Sequence, residues 1–155
     1  MLQLKLFVSF LLIVACISLG YSQGGVGKLK DEADVFFKNK NYSSAITLYQ
    51  RYLTNGGNVS ATKNLGIALF ETNRLSEAEV AFYKYYSANP KDVEVVYYLG
   101  QTFQQHLNFD KEIEFYKYYL ALTKSSNDNY EKVIENIKRC GNAKKIKYQE
   151  ELAIC

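Results

Sequence analysis

The chain has 155 residues, 48% of them hydrophobic and 23% charged, which excludes a disordered protein and fits a compact module with a real core. Its formal charge of +3 is too small for a nucleic-acid surface, which needs a clustered basic face, so no nucleic-acid partner is expected. Tryptophan is absent and tyrosine occurs 14 times, so any ring-based recognition would have to use tyrosine or phenylalanine.

Residues 1–22 read as a signal peptide. One charge, Lys5, precedes the uncharged run "LFVSFLLIVACISLG", and "GYSQGG" closes it. Gly20 and Ser22 are small residues placed for cleavage before Gln23. The apolar run is shorter than a membrane-spanning helix, which needs about 20 residues, although an uncleaved anchor stays open. So does a second cleavage: "IVAC" at 13–16 is similar to a bacterial lipobox, in which Cys16 would carry the lipid. All three alternatives place the folded part outside the cytoplasm. "GGVG" lacks the features of a phosphate loop, and residues 23–27 read as a flexible segment.

From there on, the chain repeats itself. "ADVFFKNKNYSSAITLYQRYL" begins at Ala33, "GIALFETNRLSEAEVAFYKYY" at Gly66 and "GQTFQQHLNFDKEIEFYKYYL" at Gly100, spacings of 33 and 34 residues. Phe36, Leu69 and Phe103 share a column, as do Tyr42, Leu75 and Phe109. Ala45 and Ala78 share another, in which the third copy has Glu112. Apolar residues recur at three and four, which predicts two helices per copy, divided by the polar turns "KNKN", "ETNR" and "QQHLN". "NGGN" at 55–58 and "NP" at 89–90 separate the copies; Pro90 can start a helix but cannot sit inside one. The word "FYKYY" appears at 82–86 and 115–119, yet its copies are 33 residues apart while the "LG" pairs at 65–66 and 99–100 are 34 apart. The two words are therefore read one residue out of phase. Phe82, Tyr85 and Tyr86 point inward from the first, Tyr116, Tyr119 and Leu120 from the second, and Tyr83 and Tyr118 are left as the rings facing solvent.

This pattern resembles the tetratricopeptide repeat. The second copy matches best, through Leu65, Gly66, Leu69, Leu75, Ala78, Phe82, Tyr85 and Pro90. The resemblance implies an all-α fold: three helix-turn-helix hairpins in a short right-handed solenoid over 28–126, with repeats at about 26–58, 59–92 and 93–126. A capping helix over 127–155 follows, with Asp128 as N-cap and an inward stripe of Tyr130, Val133, Ile134 and Ile137. The stretch "KRCGNAKKIK" at 138–147 reads as a solvated helix face. "IENIKRCGNAKKI" is also similar to the closing helix of the repeat module in Gram-negative envelope proteins that continue into a β-propeller and an OmpA-like domain. That resemblance implies an envelope scaffold, possible outer-membrane association, and, as one alternative, a truncated relative of a multidomain secretion protein. Fifteen helical residues span about 22 Å, and a disulfide needs Cα atoms within about 7 Å. Cys140 could therefore pair with Cys155 only if the chain broke at Gly141; free thiols or an intermolecular bond are favoured.

Catalytic chemistry is thin. His106 is the only histidine and falls in a polar turn, the cysteines do not make a zinc set, and no serine or cysteine sits in a recognisable nucleophile setting. No enzyme, cofactor or metal is expected. The sequons at Asn41 and Asn58 fall in turns where asparagine is common anyway. Resemblance to the family places a partner groove on the first helix of each hairpin. Its residues here are Lys30, Asp34 and Phe37, then Lys63, Asn64, Ile67 and Phe70, then Tyr97, Gln101 and Gln104, with Phe37, Ile67, Phe70 and Tyr97 as exposed apolar anchors for a protein or peptide. Chaperone-docking members clamp a C-terminal carboxylate with Lys, Asn and Arg. Lys30 and Asn64 match that set; Asp34, Glu94 and Tyr98 do not, and the two acids would repel a carboxylate.

Overall fold

A computed structural model describes residues 25–153, with side chains through residue 145. The expected signal peptide, Cys16 and Cys155 lie outside the described residues. In chain order the helices are α1 (25–38), α2 (Tyr42–Thr54), α3 (Thr62–Glu71), α4 (Leu75–Tyr86), α5 (Val93–Gln105), α6 (Phe109–Leu122) and α7 (Tyr130–Ala153), with a single 3₁₀ turn at Val59–Ala61. No strand occurs among the described residues, so the fold is all-α as expected. Residues 25–27, read above as flexible, belong to α1. A Cβ added at Gly25 or Gly27 would meet no other part of the protein within 4 Å, so the helix extends over them from the packed residues around Ala33.

The helices pair as antiparallel hairpins because each short turn is built alike. Lys40, Asn73 and Leu107 occupy the same turn position with φ of 57°, 58° and 55°. Beyond them the amides of Asn41, Arg74 and Asn108 donate back to the carbonyls of Phe36, Leu69 and Phe103 at 2.9, 2.8 and 3.0 Å. This six-to-one closure with a left-handed residue before it ends the first helix. The same residues then start the second. The Asn41 and Asn108 side chains accept from the Ser44 and Lys111 amides, whereas Arg74 offers α4 no side-chain cap.

The chain divides into two compact units at Ala61 and Thr62. The first holds α1 and α2, with Ala33, Ala45 and Tyr49 fully buried. The Tyr52 ring lies where a Cβ on Gly57 would stand, 2.5 Å away, and its hydroxyl accepts from the Asn58 amide at 2.8 Å. The second unit holds the hairpins α3–α4 and α5–α6 and the helix α7, which packs on α6. Gly66 faces Phe82 and Gly100 faces Tyr116, each so closely that a Cβ would stand 2.6 and 2.4 Å from the ring. Phe82 and Tyr116 are therefore equivalent, 34 residues apart, and the two "FYKYY" words are out of phase as read. Phe82, Tyr116 and Tyr119 are buried; Tyr85, Tyr86 and Leu120 are half-buried.

Two details of the cap differ from the sequence reading. Helix α7 begins at Tyr130, and runs through Gly141 without a break. Cys140 on it is a buried free thiol, so the 138–147 stretch is not wholly a solvated face: Val133 and Cys140, seven apart, form the packed edge.

Candidate functional site

In the first unit Tyr49 links the three expected groove residues, touching Asp34 and Phe37. Lys30 and Asp34, one turn apart on α1, form an ion pair at 2.6 Å, and the Tyr49 hydroxyl donates to the other Asp34 oxygen at 2.6 Å. The hydrogen bond to Asp34 is the main reason the Lys30 ammonium is raised above its ordinary value. Phe37 is half-buried, its ring edge against Tyr42 and Tyr49.

In the second unit Ile67 is only 7% exposed. It is a core residue and not the exposed anchor expected. The face of α3 that carries it is covered, leaving Lys63, Asn64 and Phe70 half-buried at its borders. Phe70 sets its edge on Tyr98, which stacks on Phe82 at 5.3 Å between centroids. Tyr97, Gln101 and Gln104 are half-buried along α5. Tyr83, expected toward solvent, is also half-buried: its ring meets Tyr86, Phe103 and Phe115 edge-on. Tyr118 is half-buried too.

Lys63 reaches from α3 to the start of α5, 2.9 Å from Asp92 and 2.7 Å from Glu94. Asp92 also caps α5 by accepting from the Glu94 and Val95 amides, and takes a 3.0 Å bond from the Tyr85 hydroxyl. Burial pushes its carboxyl up, but Lys63, the Val95 amide and Tyr85 outweigh that and hold it below its ordinary value. Burial likewise works against the Lys63 ammonium, and the bonds to Glu94 and Asp92 raise it nonetheless.

Beside this ion cluster a cleft of about 360 Å³ opens between α5 and the end of α6. Val93, Glu94, Tyr97 and Tyr98 form the α5 wall, and Tyr119, Asn127 and Asn129 the other. The Tyr97 and Tyr119 rings lie 5.2 Å apart at 45°. The Tyr97 hydroxyl donates to Asn129 at 3.3 Å, and the Tyr119 hydroxyl donates to Asn127 at 2.5 Å. Asn127 and Asn129 were missed by sequence reading: they stand in the connection between the third hairpin and the cap, where asparagine reads as turn chemistry, and the partner of Asn129 is 32 residues away.

A third group lies at the α6–α7 contact. Glu112, in the column that holds Ala45 and Ala78, is fully buried, and its Oε1 accepts from Arg139 at 3.2 Å. Its Oε2 has no hydrogen-bond partner among the described residues. The Gln104 amide stands 3.0 Å from the Tyr116 hydroxyl, and its oxygen can accept from both terminal nitrogens of Arg139, at 2.5 and 3.1 Å. Burial, and then Glu112, push the Cys140 thiol up to about 11. His106 is exposed, 3.2 Å from Glu79. Among the described residues, no three His, Cys, Asp or Glu side chains group to hold a metal, and no helix is long and apolar enough to cross a membrane.

Stacked helical hairpins closed by an end helix define a helical-repeat protein. Residues 30–93 match the tetratricopeptide repeat family, and the hairpins α3–α4 and α5–α6 have the same inward column of small residue against ring. The matched part, residues 30–93, is thus a segment of tetratricopeptide repeats. No curated protein is significantly similar to it in sequence. Among solved structures, the tetratricopeptide domain of Arabidopsis OM64 is 18% identical, with a TM-score of 0.64 over 77% of this chain and 96% of that one. Yeast Tom70, also 18% identical, gives 0.70 over 83% of this chain; the match spans only 26% of Tom70. The second such domain of human RPAP3, solved with an HSP70 peptide, is 17% identical, with a TM-score of 0.63 over 77% of this chain and 98% of that one.

Proposed function

We propose that the protein is a non-enzymatic interaction scaffold of the bacterial cell envelope, which binds a peptide or protein partner on the first-helix side of its hairpins. The observation that carries this reading is the cleft on α5 walled by Tyr97, Tyr98 and Tyr119, with the half-buried Phe70 against Tyr98 and Gln101 one turn beyond Tyr97. A cleft of this size with rings and a few polar groups is the usual form of a binding site. Solved domains of the same fold include one bound to an HSP70 peptide, which supports a peptide as the partner. A carboxylate clamp fits poorly here, since Lys30 and Lys63 are already paired with carboxylates. The envelope location rests on residues 1–22 alone.

A photo-crosslinking residue placed at Gln101, compared with one at Val80, tests the site. Val80 lies on α4 and is 69% exposed. In envelope extract, a discrete adduct from position 101 and none from position 80 is the expected outcome. No adduct at 101, or the same adducts at both, rejects the groove.

A second reading rests on "IVAC" at 13–16: a membrane-tethered spacer held by a lipid on Cys16. Mass spectrometry of the mature N-terminus separates the two, because a chain that begins at Gln23 carries no lipid on Cys16.

A further inference from the structure

The cleft has a definite charge. Its wall carries the Glu94 carboxylate, 53% exposed at the side chain, and among the described residues no lysine or arginine lines it. Lys63, which pairs with Glu94, is shared between it and Asp92, so that cluster of two carboxylates and one ammonium keeps an excess negative charge. On the far side Asp128 lies next in sequence to both Asn127 and Asn129, and its charge acts on the Tyr119 hydroxyl. Between the acids stand three tyrosine rings, from Tyr97, Tyr98 and Tyr119. Ring faces carry negative potential and attract a cation held over them, most strongly where water is partly excluded. An anionic ligand would meet carboxylates here, and a purely apolar one would leave Glu94 without a new partner.

We propose that this cleft receives the cationic side chain of a lysine or arginine in the bound partner. The inference rests on the scaffold reading above and names the chemistry of the partner at that site. The ammonium or guanidinium would sit against the tyrosine rings with Glu94 and Asp128 on its flanks, and the stem of the side chain would cover the apolar surface around Val93. A basic residue at one defined position is thus the feature that selects the partner.

The probe is Nα-acetyl-arginine amide, with Nα-acetyl-citrulline amide as its uncharged isostere, each titrated into the isotope-labelled full chain and followed by amide NMR shifts. Saturable shifts at Glu94, Tyr97, Asn127 and Asn129 with the arginine compound are expected, and citrulline should bind several-fold more weakly. The double substitution Glu94→Gln, Asp128→Asn touches two exposed residues, and should weaken arginine binding about threefold to fivefold, as loss of exposed charge pairs does, while leaving citrulline unchanged. Equal binding of the two compounds, shifts that miss the cleft, or an arginine affinity indifferent to the double substitution would each overturn the cation site. Crosslinking at Gln101 needs no cation, so a positive result there with failure here removes the cation and leaves the groove standing.

Discussion

At the scale of single residues, Gly66 and Gly100 show how close the two helices of a hairpin run. In the second unit the ring of the opposing helix takes the space of a side chain: a Cβ on Gly100 would stand 2.4 Å from Tyr116. Gly100→Ala therefore gains the roughly 1 kcal/mol of helix propensity that alanine has over glycine and loses more through overpacking, typically about 1–3 kcal/mol. Net destabilisation of about 1 kcal/mol is expected in urea unfolding. Gly141 is the contrast. It lies within α7, exposed, with nothing within 4 Å of its added Cβ, so Gly141→Ala should stabilise by about 0.5–1 kcal/mol. If both substitutions moved stability the same way, the close approach at Gly100 would not be the deciding contact. The column itself was legible in the sequence, because a strict period of 33 or 34 leaves few alternatives. The side of α3 that faces its neighbours was not. Ile67 shares the helical spacing of an exposed stripe, and only the packed helices show that it lies inside. Rings were misjudged at Tyr83 for the same reason, since its cover comes from Phe103 and Phe115 on two other helices.

At the scale of elements, α7 is held by an unusual contact. The third copy replaces a buried alanine by Glu112, a departure visible in the repeat alignment, but its partner was hidden in a stretch that reads as solvated surface. Arg139 extends from that surface to the buried carboxylate while remaining 56% exposed itself. Taking one partner from such a pair leaves a charge buried and uncompensated, which costs about 3–5 kcal/mol where burial is complete. The half-exposed arginine puts Arg139→Met at the lower end, about 3 kcal/mol. Since α7 packs on α6, the loss should appear as undocking of the cap. Hydrogen exchange should quicken across residues 130–145 and change little in α3 and α4. Replacing both partners by methionine, Glu112→Met with Arg139→Met, should recover most of that protection, because a buried pair exchanged for apolar groups of like size is often neutral. Unaltered exchange of α7 in Arg139→Met would show that the ion pair does not hold the helix.

For the whole molecule, the abundance of tyrosine sets the response to alkali. The hydroxyls of Tyr83, Tyr85, Tyr86, Tyr116 and Tyr119 are all raised above their ordinary 10.0, with burial the first cause in each. The Cys140 thiol is pushed from 9.0 to about 11, also chiefly by burial. All six belong to the unit that begins at Thr62. Each is neutral when protonated. An unfolded chain would release the thiol proton near pH 9 and the phenolic protons near pH 10, while the folded chain keeps them. Above about pH 9 the unfolded state thus binds fewer protons, and stability must fall as pH rises. The contribution is complete below pH 9 and disappears as the pH passes through the folded values. Urea midpoints should accordingly stay level from neutral pH to about 9 and decline from there to about 11. In a chain with Cys16→Ser and Cys155→Ser, the remaining thiol should react with a disulfide reagent only as fast as α7 opens, and that rate should climb over the same range. A midpoint that holds to pH 11, or a Cys140 that reacts ahead of α7 opening, would mean that the rings and the thiol are not as shielded as their packing implies.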